Sequence, residues 1–116
     1  MAKITIYHNP RCTKSRQTLA LLHERDLEPV VIEYLKDPPS EATLTELVKQ
    51  LGIDPFELLR RNEKPYKDLN LAKKKDDPKA LIKAMAKTPI LIQRPIVVRG
   101  NKAALGRPPE DVLEIL

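Results

Sequence analysis

The chain has a single cysteine, and that scarcity sets the first limits on its chemistry. One cysteine allows no internal disulfide, and a free thiol fits a reducing cytosol. One Cys and two His also supply too few ligands for a closed zinc site, so no metal is expected. Aromatic residues are nearly as scarce. Tyr7, Tyr34, Phe56 and Tyr66 are the whole set, too few for a platform on which nucleic-acid bases stack. No helical stretch concentrates basic side chains as a DNA-reading face does, so no direct nucleic-acid partner is expected. No apolar run approaches the roughly 20 residues of a membrane span, and the first residues lack the apolar core of a signal peptide. Repeats, low-complexity tracts and linkers are also missing.

What is present suits one domain over residues 1–116, with a single modest core. Lys and Arg outnumber Asp and Glu by 21 to 16, a net charge of +5. Lys73-Lys74-Lys75 reads as a solvated surface; the remaining excess points to a small anionic substrate rather than to nucleic acid.

The pattern predicts a mixed α/β order, β-α-β-α-α-α-β-β-α. Residues 3–7 (Lys-Ile-Thr-Ile-Tyr) read as a buried strand and 15–24 as a helix with Leu19, Leu21 and Leu22 on its apolar face. A second strand over 28–34 makes the pair parallel with a right-handed crossover. Ser40 is a plausible N-cap for a helix burying Leu44, Leu47, Val48 and Leu51 and stopping at Gly52. Asp54-Pro55 and Asp77-Pro78 open two more helices, the second burying Leu81, Ile82 and Met85. Between them the chain is charged and poor in apolar residues, with Leu69 and Leu71 expected to pin it down. Ile96–Val98 reads as a strand opened by Pro95, Lys102–Leu105 as its antiparallel return, and 110–116 as a final helix.

The lone Cys12 falls where the first strand hands over to the first helix, inside His8-Asn9-Pro10-Arg11-Cys12-Thr13-Lys14-Ser15-Arg16. Unpaired N–H groups and the helix dipole at a helix start stabilise an anion. Arg11, Lys14 and Arg16 add positive charge, so thiolate is favoured over thiol, and the thiolate is the nucleophile. The bland alternative is a small buried filler. Turn, helix start and cations together favour a reactive Cys12. His8 has two open readings: an activator of the thiol, or a hydrogen-bonded histidine at a strand end. His23 reads as an exposed helix residue, and Arg16, Arg25 and Arg61 as surface arginines with salt-bridge partners.

His8-Asn9-Pro10-Arg11-Cys12, Leu58-Leu59-Arg60-Arg61-Asn62, Pro65-Tyr66, Arg94-Pro95-Ile96-Val97-Val98 and Gly106-Arg107-Pro108 together resemble, in order and spacing, the motifs of the glutaredoxin-coupled arsenate reductase family. The resemblance covers essentially the whole chain. It implies a thioredoxin-like, ArsC-like fold with an inserted helical segment and a cis bond at Arg94-Pro95. It also implies a cytoplasmic, monomeric enzyme of arsenical resistance. Cys12 matches the family nucleophile, with His8 assisting, and Arg60, Arg94 and Arg107 match the three arginines that hold the oxyanion. Paired guanidinium donors suit a tetrahedral oxyanion and stay charged at any relevant pH. Because no second cysteine is present to resolve an adduct, the electrons must come from outside thiols; glutathione as co-substrate and glutaredoxin as partner fit that need, and no bound cofactor is required.

Three other functions share parts of this pattern. A phosphatase-type loop needs an Arg six positions after the Cys, where this chain has Thr18, and is excluded. Cys12-Thr13-Lys14-Ser15 has the form of a glutathione-dependent monothiol oxidoreductase. Related Spx-type regulators bind RNA polymerase and often carry a C-x-x-C switch, which Ser15 interrupts here. The trio Arg60, Arg94 and Arg107 favours the arsenate enzyme.

Overall fold

The β-branched run after Lys3 becomes one of the two interior strands of a four-stranded sheet, in a computed structural model that describes residues 3–116. By their internal packing these residues fall into two units: a sheet unit, up to Asp37 and again from Arg94 to Leu116, and a helical unit, Pro38–Gln93.

In the sheet unit, β1 (Ile4–His8) leads through helix α1 (Thr13–Glu24) to β2 (Val30–Glu33), which pairs parallel to β1 with His8 opposite Glu33. Strand β3 (Ile96–Arg99) runs antiparallel to β1 on its other side, and β4 (Lys102–Leu105) closes a hairpin on β3, giving the order β2-β1-β3-β4. The hairpin turns at Gly100, whose positive φ of 62° suits a residue without Cβ. Ile6, Leu22, Val97 and Val112 form the core of this unit, with Leu19, Leu21, Leu27 and Ala104 packed around them. Each fully buried aliphatic side chain contributes about 1.5–3 kcal/mol relative to exposure. The C-terminal segment folds as a 3₁₀ helix, Pro109–Ile115, in place of the expected α-helix.

In the helical unit, α2 (Glu41–Leu51) starts at Ser40, whose hydroxyl accepts from the Thr43 N–H, and stops at Gly52 in the left-handed region. Asp54 caps the short α3 (Pro55–Leu58) through a reciprocal capping box with Glu57. Asp77 caps α5 (Pro78–Lys87), its carboxylate accepting from the Ala80 N–H. The apolar faces of these helices bury Leu44, Leu47, Leu58, Leu81, Ile82 and Met85, as periodicity predicts; Leu51 is only half-buried.

Two expectations need correction here. The charged stretch before Asp77 is ordered into α4 (Lys64–Asp68) and a 3₁₀ turn, Leu71–Lys74. Of its two expected anchors only Leu71 is buried, while Leu69 is exposed. Short helices opened by Pro65 and locked by one leucine leave too weak an apolar period to read in sequence. Helix α1 also starts earlier than expected, at Thr13. No helix among the described residues is long and apolar enough to cross a membrane.

Candidate active site

Strand directions collect the motifs of the sheet unit at one end of the sheet. β1 ends at His8 and runs into the Cys12 loop. β3 is antiparallel to β1, so its start lies at the same end, preceded by Arg94-Pro95. β4 finishes there too, with Leu105 opposite Ile96, and continues into Gly106-Arg107-Pro108. Both Arg94-Pro95 and Arg107-Pro108 are cis. The first cis bond was implied by the family resemblance; the second was not.

Cys12 is the N-cap of α1, with extended backbone angles, and its own N–H donates to the Asn9 carbonyl at 3.0 Å. Its thiol is partly exposed. Partial burial pushes the thiol pKa up. The N–H of Ser15, the charge of Arg94, the N–H of Lys14 and a hydrogen bond from Arg94 outweigh it and hold Cys12 below its ordinary value. The expectation of an anion-stabilising helix start is met by two first-turn amides. The cation acting on the sulfur is Arg94, distant in sequence, where the local charge pattern pointed to Arg11, Lys14 and Arg16 and only the family resemblance named Arg94. Arg16 instead spans the loop: its guanidinium donates to the Pro10 carbonyl at 2.9 Å and to Thr13 Oγ1 at 3.3 Å.

Arg94 is buried to 9% exposure, and its Nε and Nη1 have no hydrogen-bond partner among the described residues. A buried guanidinium with orphaned donors is costly unless an acceptor meets it. Arg107 is exposed, and its Nη1 donates to the Arg94 carbonyl at 3.2 Å, tying the two cis-proline loops together. Gly106 makes the same junction tight: its N–H donates to the Pro95 carbonyl at 2.9 Å, and a Cβ here would come within 2.8 Å of Pro95 Cγ and closer still to Thr18 Oγ1. Only glycine fits there.

His8 is buried, and its Nδ1 lies 2.6 Å from Ser15 Oγ. Burial pushes its pKa below the ordinary value, the Glu33 carboxylate opposes that shift and Arg16 assists it. Ser15 also accepts from the Asn9 N–H at 3.0 Å. The hydrogen bond of His8 therefore runs to the residue whose main-chain N–H faces the sulfur. In sequence Ser15 stands only as the serine of the Cys12-x-x-Ser15 pattern; its structural role is signalled by a polar residue three positions after Cys12, on a buried helix face it shares with Thr18 and Leu22.

Arg60 belongs to the helical unit. There Leu59 bridges Ile92, the Arg60 N–H donates to the Leu91 carbonyl at 2.7 Å, and the guanidinium pairs with Glu63 at 2.7 Å. Arg61 lies over the Phe56 ring, 5.1 Å from its centroid, rather than in a surface ion pair. His23 is exposed, as expected. The sheet unit thus brings together Cys12, Arg94 and Arg107, with His8 linked to the loop through Ser15.

The chain is similar to many known proteins. The chain is 48% identical to an arsenate reductase of Escherichia coli over 116 residues, 100% of this chain and 82% of that protein. It is 53% identical to an uncharacterised Escherichia coli (strain K12) protein, YfgD, over 98% of this chain and 97% of the relative. Its structure superposes on that of an arsenate reductase from Vibrio cholerae with a TM-score of 0.95 at 49% identity, covering 99% of this chain and 98% of the other. The fold is thus the thioredoxin-like one of ArsC-type reductases, carrying an inserted helical segment. The ArsC family model matches residues 7–115, a span that includes Cys12 and all of the arginines discussed above, and this chain belongs to the ArsC family.

Proposed function

We propose that the chain is an arsenate reductase, an oxidoreductase that converts arsenate to arsenite through a covalent adduct on Cys12. The observation that carries this is the pairing of a depressed thiol with a buried Arg94 whose Nε and Nη1 are orphaned. A nucleophile and an unsatisfied cationic fork beside it suit a substrate that is both electrophile and oxyanion. Arsenate is such a substrate, and the relatives named as arsenate reductases share about half of this sequence.

In this mechanism arsenate docks against Arg94 and Arg107 of the sheet unit. The Cys12 thiolate attacks arsenic and water leaves, giving Cys12–S–AsO(OH)₂. An outside thiol then attacks the Cys12 sulfur, the S–As bond breaks, and its electron pair takes arsenic from the +5 to the +3 state as As(OH)₃. A second thiol exchanges with the mixed disulfide and frees Cys12. The sum is arsenate and two thiols giving arsenite, one disulfide and water. Glutathione and glutaredoxin, in a reducing cytoplasm, are the outside thiols this reading favours, since the chain has one cysteine only. His8 supports the loop through Ser15, which keeps an amide aimed at the sulfur.

The test is NADPH oxidation coupled through glutathione reductase, glutathione and glutaredoxin, with and without arsenate. Arsenate-dependent turnover in the wild type and its loss in Cys12→Ser are expected. Turnover of a mixed disulfide that ignores arsenate would instead make the chain a monothiol oxidoreductase. No turnover with co-purifying RNA polymerase would make it a regulator.

A further inference from the structure

We propose that the cavity at the C-terminal ends of β1 and β2 seats the amino-acid end of glutathione, the outside thiol that releases arsenite from Cys12. This inference rests on the arsenate reductase reading above. The cavity measures about 170 Å³ and is lined by Asn9, Pro10 and Arg11 of the Cys12 loop, His8 and Glu33 at the ends of β1 and β2, and Leu35 and Lys36 just after β2. The three loop residues directly precede Cys12, whose N–H is bonded to Asn9.

The position matters because displacement at sulfur is in-line. The incoming thiolate must approach opposite the departing arsenic. The strand order β2-β1-β3-β4 puts this cavity on the β2 flank of the loop, while Arg94 and Arg107 come from the β3 and β4 flank. With arsenic held on the arginine flank, in-line attack on the sulfur calls for an approach from the opposite flank, where this cavity lies. The glutathione sulfur donates its electron pair to Cys12 Sγ, the thiol proton is lost to solvent or base, and the S–As bond electrons leave with arsenite.

The charges match one class of ligand. Arg11 and Lys36 offer two cations for carboxylates, and Glu33 offers one anion for an ammonium group. That is the complement of a zwitterionic α-amino acid terminus, which the γ-glutamyl end of glutathione carries. Lys36 and Glu33 are 3.7 Å apart, with side chains 80% and 42% exposed, a contact too solvated to resist exchange for a ligand. The volume suits an amino-acid-sized group, leaving the cysteinyl part of the tripeptide outside the cavity. Two extended residues reach about 7 Å, enough to run from this cavity along the loop toward its next residue.

The experiment needs no arsenate. Formation of the Cys12–glutathione mixed disulfide from oxidised glutathione is followed by intact mass, beside reaction with neutral hydroxyethyl disulfide as control. The exposed double variant Arg11→Ala/Lys36→Ala should slow the glutathione reaction about tenfold, equivalent to ~1.4 kcal/mol, relative to the control disulfide. Glu33→Gln should lower the same ratio by a smaller factor, and Lys36→Glu should lower it further than Lys36→Ala. Equal slowing of both disulfides, or no change in the ratio, would overturn the seat. In arsenate turnover, the double variant should raise the KM for glutathione and leave that for arsenate unchanged. A wild type without arsenate turnover would defeat the function proposed above, while the disulfide ratio would still judge the seat by itself.

Discussion

The sheet unit and the helical unit bury different kinds of side chain. The polar or charged side chains buried among the described residues are His8, Asn9, Ser15, Thr18 and Arg94, and all five belong to the sheet unit. The helical unit buries hydrocarbon: Leu44, Leu47, Leu58, Leu59, Leu71, Leu81 and Met85 among others. A buried polar group destabilises unless it is paired, so a fold keeps five of them around one loop only where they organise something. Here they organise a sulfur. Four of the five are satisfied locally, through Ser15 with His8 and Asn9, the Asn9 side chain with the Arg11 N–H, and Thr18 with the Lys14 carbonyl. Arg94 alone keeps orphaned donors. The comparison teaches that stability and chemistry are carried by different residues, and substitutions can separate them.

The largest expected effect is on chemistry. Arg94→Lys keeps a charge but loses the planar fork, and should lower arsenate-dependent kcat/KM by about 10²- to 10³-fold, the range for losing one preorganised donor at a developing anion. The thiol pKa of Cys12, read from thiolate absorbance, should rise in the same variant toward the unperturbed value of about 8.5. In the wild type the thiolate persists below that pH, because the folded pKa is lowered; activity should fall as pH drops through the lowered value, not through 8.5. An unchanged titration in Arg94→Lys would erase the contrast drawn here.

Next comes pure packing. Leu81→Ala in the centre of α5 should destabilise by about 3 kcal/mol in a denaturant titration, through lost burial and the cavity left behind. The Cys12 titration should not move. Ser15→Ala lies between the two classes. It leaves a buried imidazole nitrogen and the Asn9 N–H without their partner, costing about 1–3 kcal/mol. Unlike Leu81→Ala, it should also raise the Cys12 pKa, since the amide of residue 15 loses its anchoring. Stability loss without that rise would reduce Ser15 to a structural residue. The smallest effect belongs to Ser40→Ala, which removes the α2 cap and should cost about 1 kcal/mol with no change in thiol chemistry.

These differences also explain what was legible in advance. Ser40, Asp54-Pro55, Asp77-Pro78 and Gly52 are local signals, because a cap or a left-handed stop is satisfied by residues three or four positions away. The periodic leucines of α2 and α5 were readable for the same reason. The segment around Leu69 and Leu71 was not, because which leucine is buried depends on the neighbouring helix α5 rather than on its own spacing. At the site, Cys12 at a helix start was readable, since strand, turn and helix adjoin in sequence. The cation beside it was not legible in the local charge pattern, which favoured Arg11, Lys14 and Arg16; Arg94, the cation that acts on the sulfur, was indicated only by the family resemblance.

By its residues alone this protein was limited to one free thiol, no internal disulfide, a βαβ start and a Cys12 placed where main-chain N–H groups favour an anion. Only the tertiary structure decided that Arg94 reaches that thiol, that Arg107 and Gly106 brace the Arg94 loop, and that His8 speaks to Ser15. The reason is the sheet itself: antiparallel pairing of β3 with β1 carries residues some eighty positions downstream to the end of the first strand, and no local pattern encodes that register.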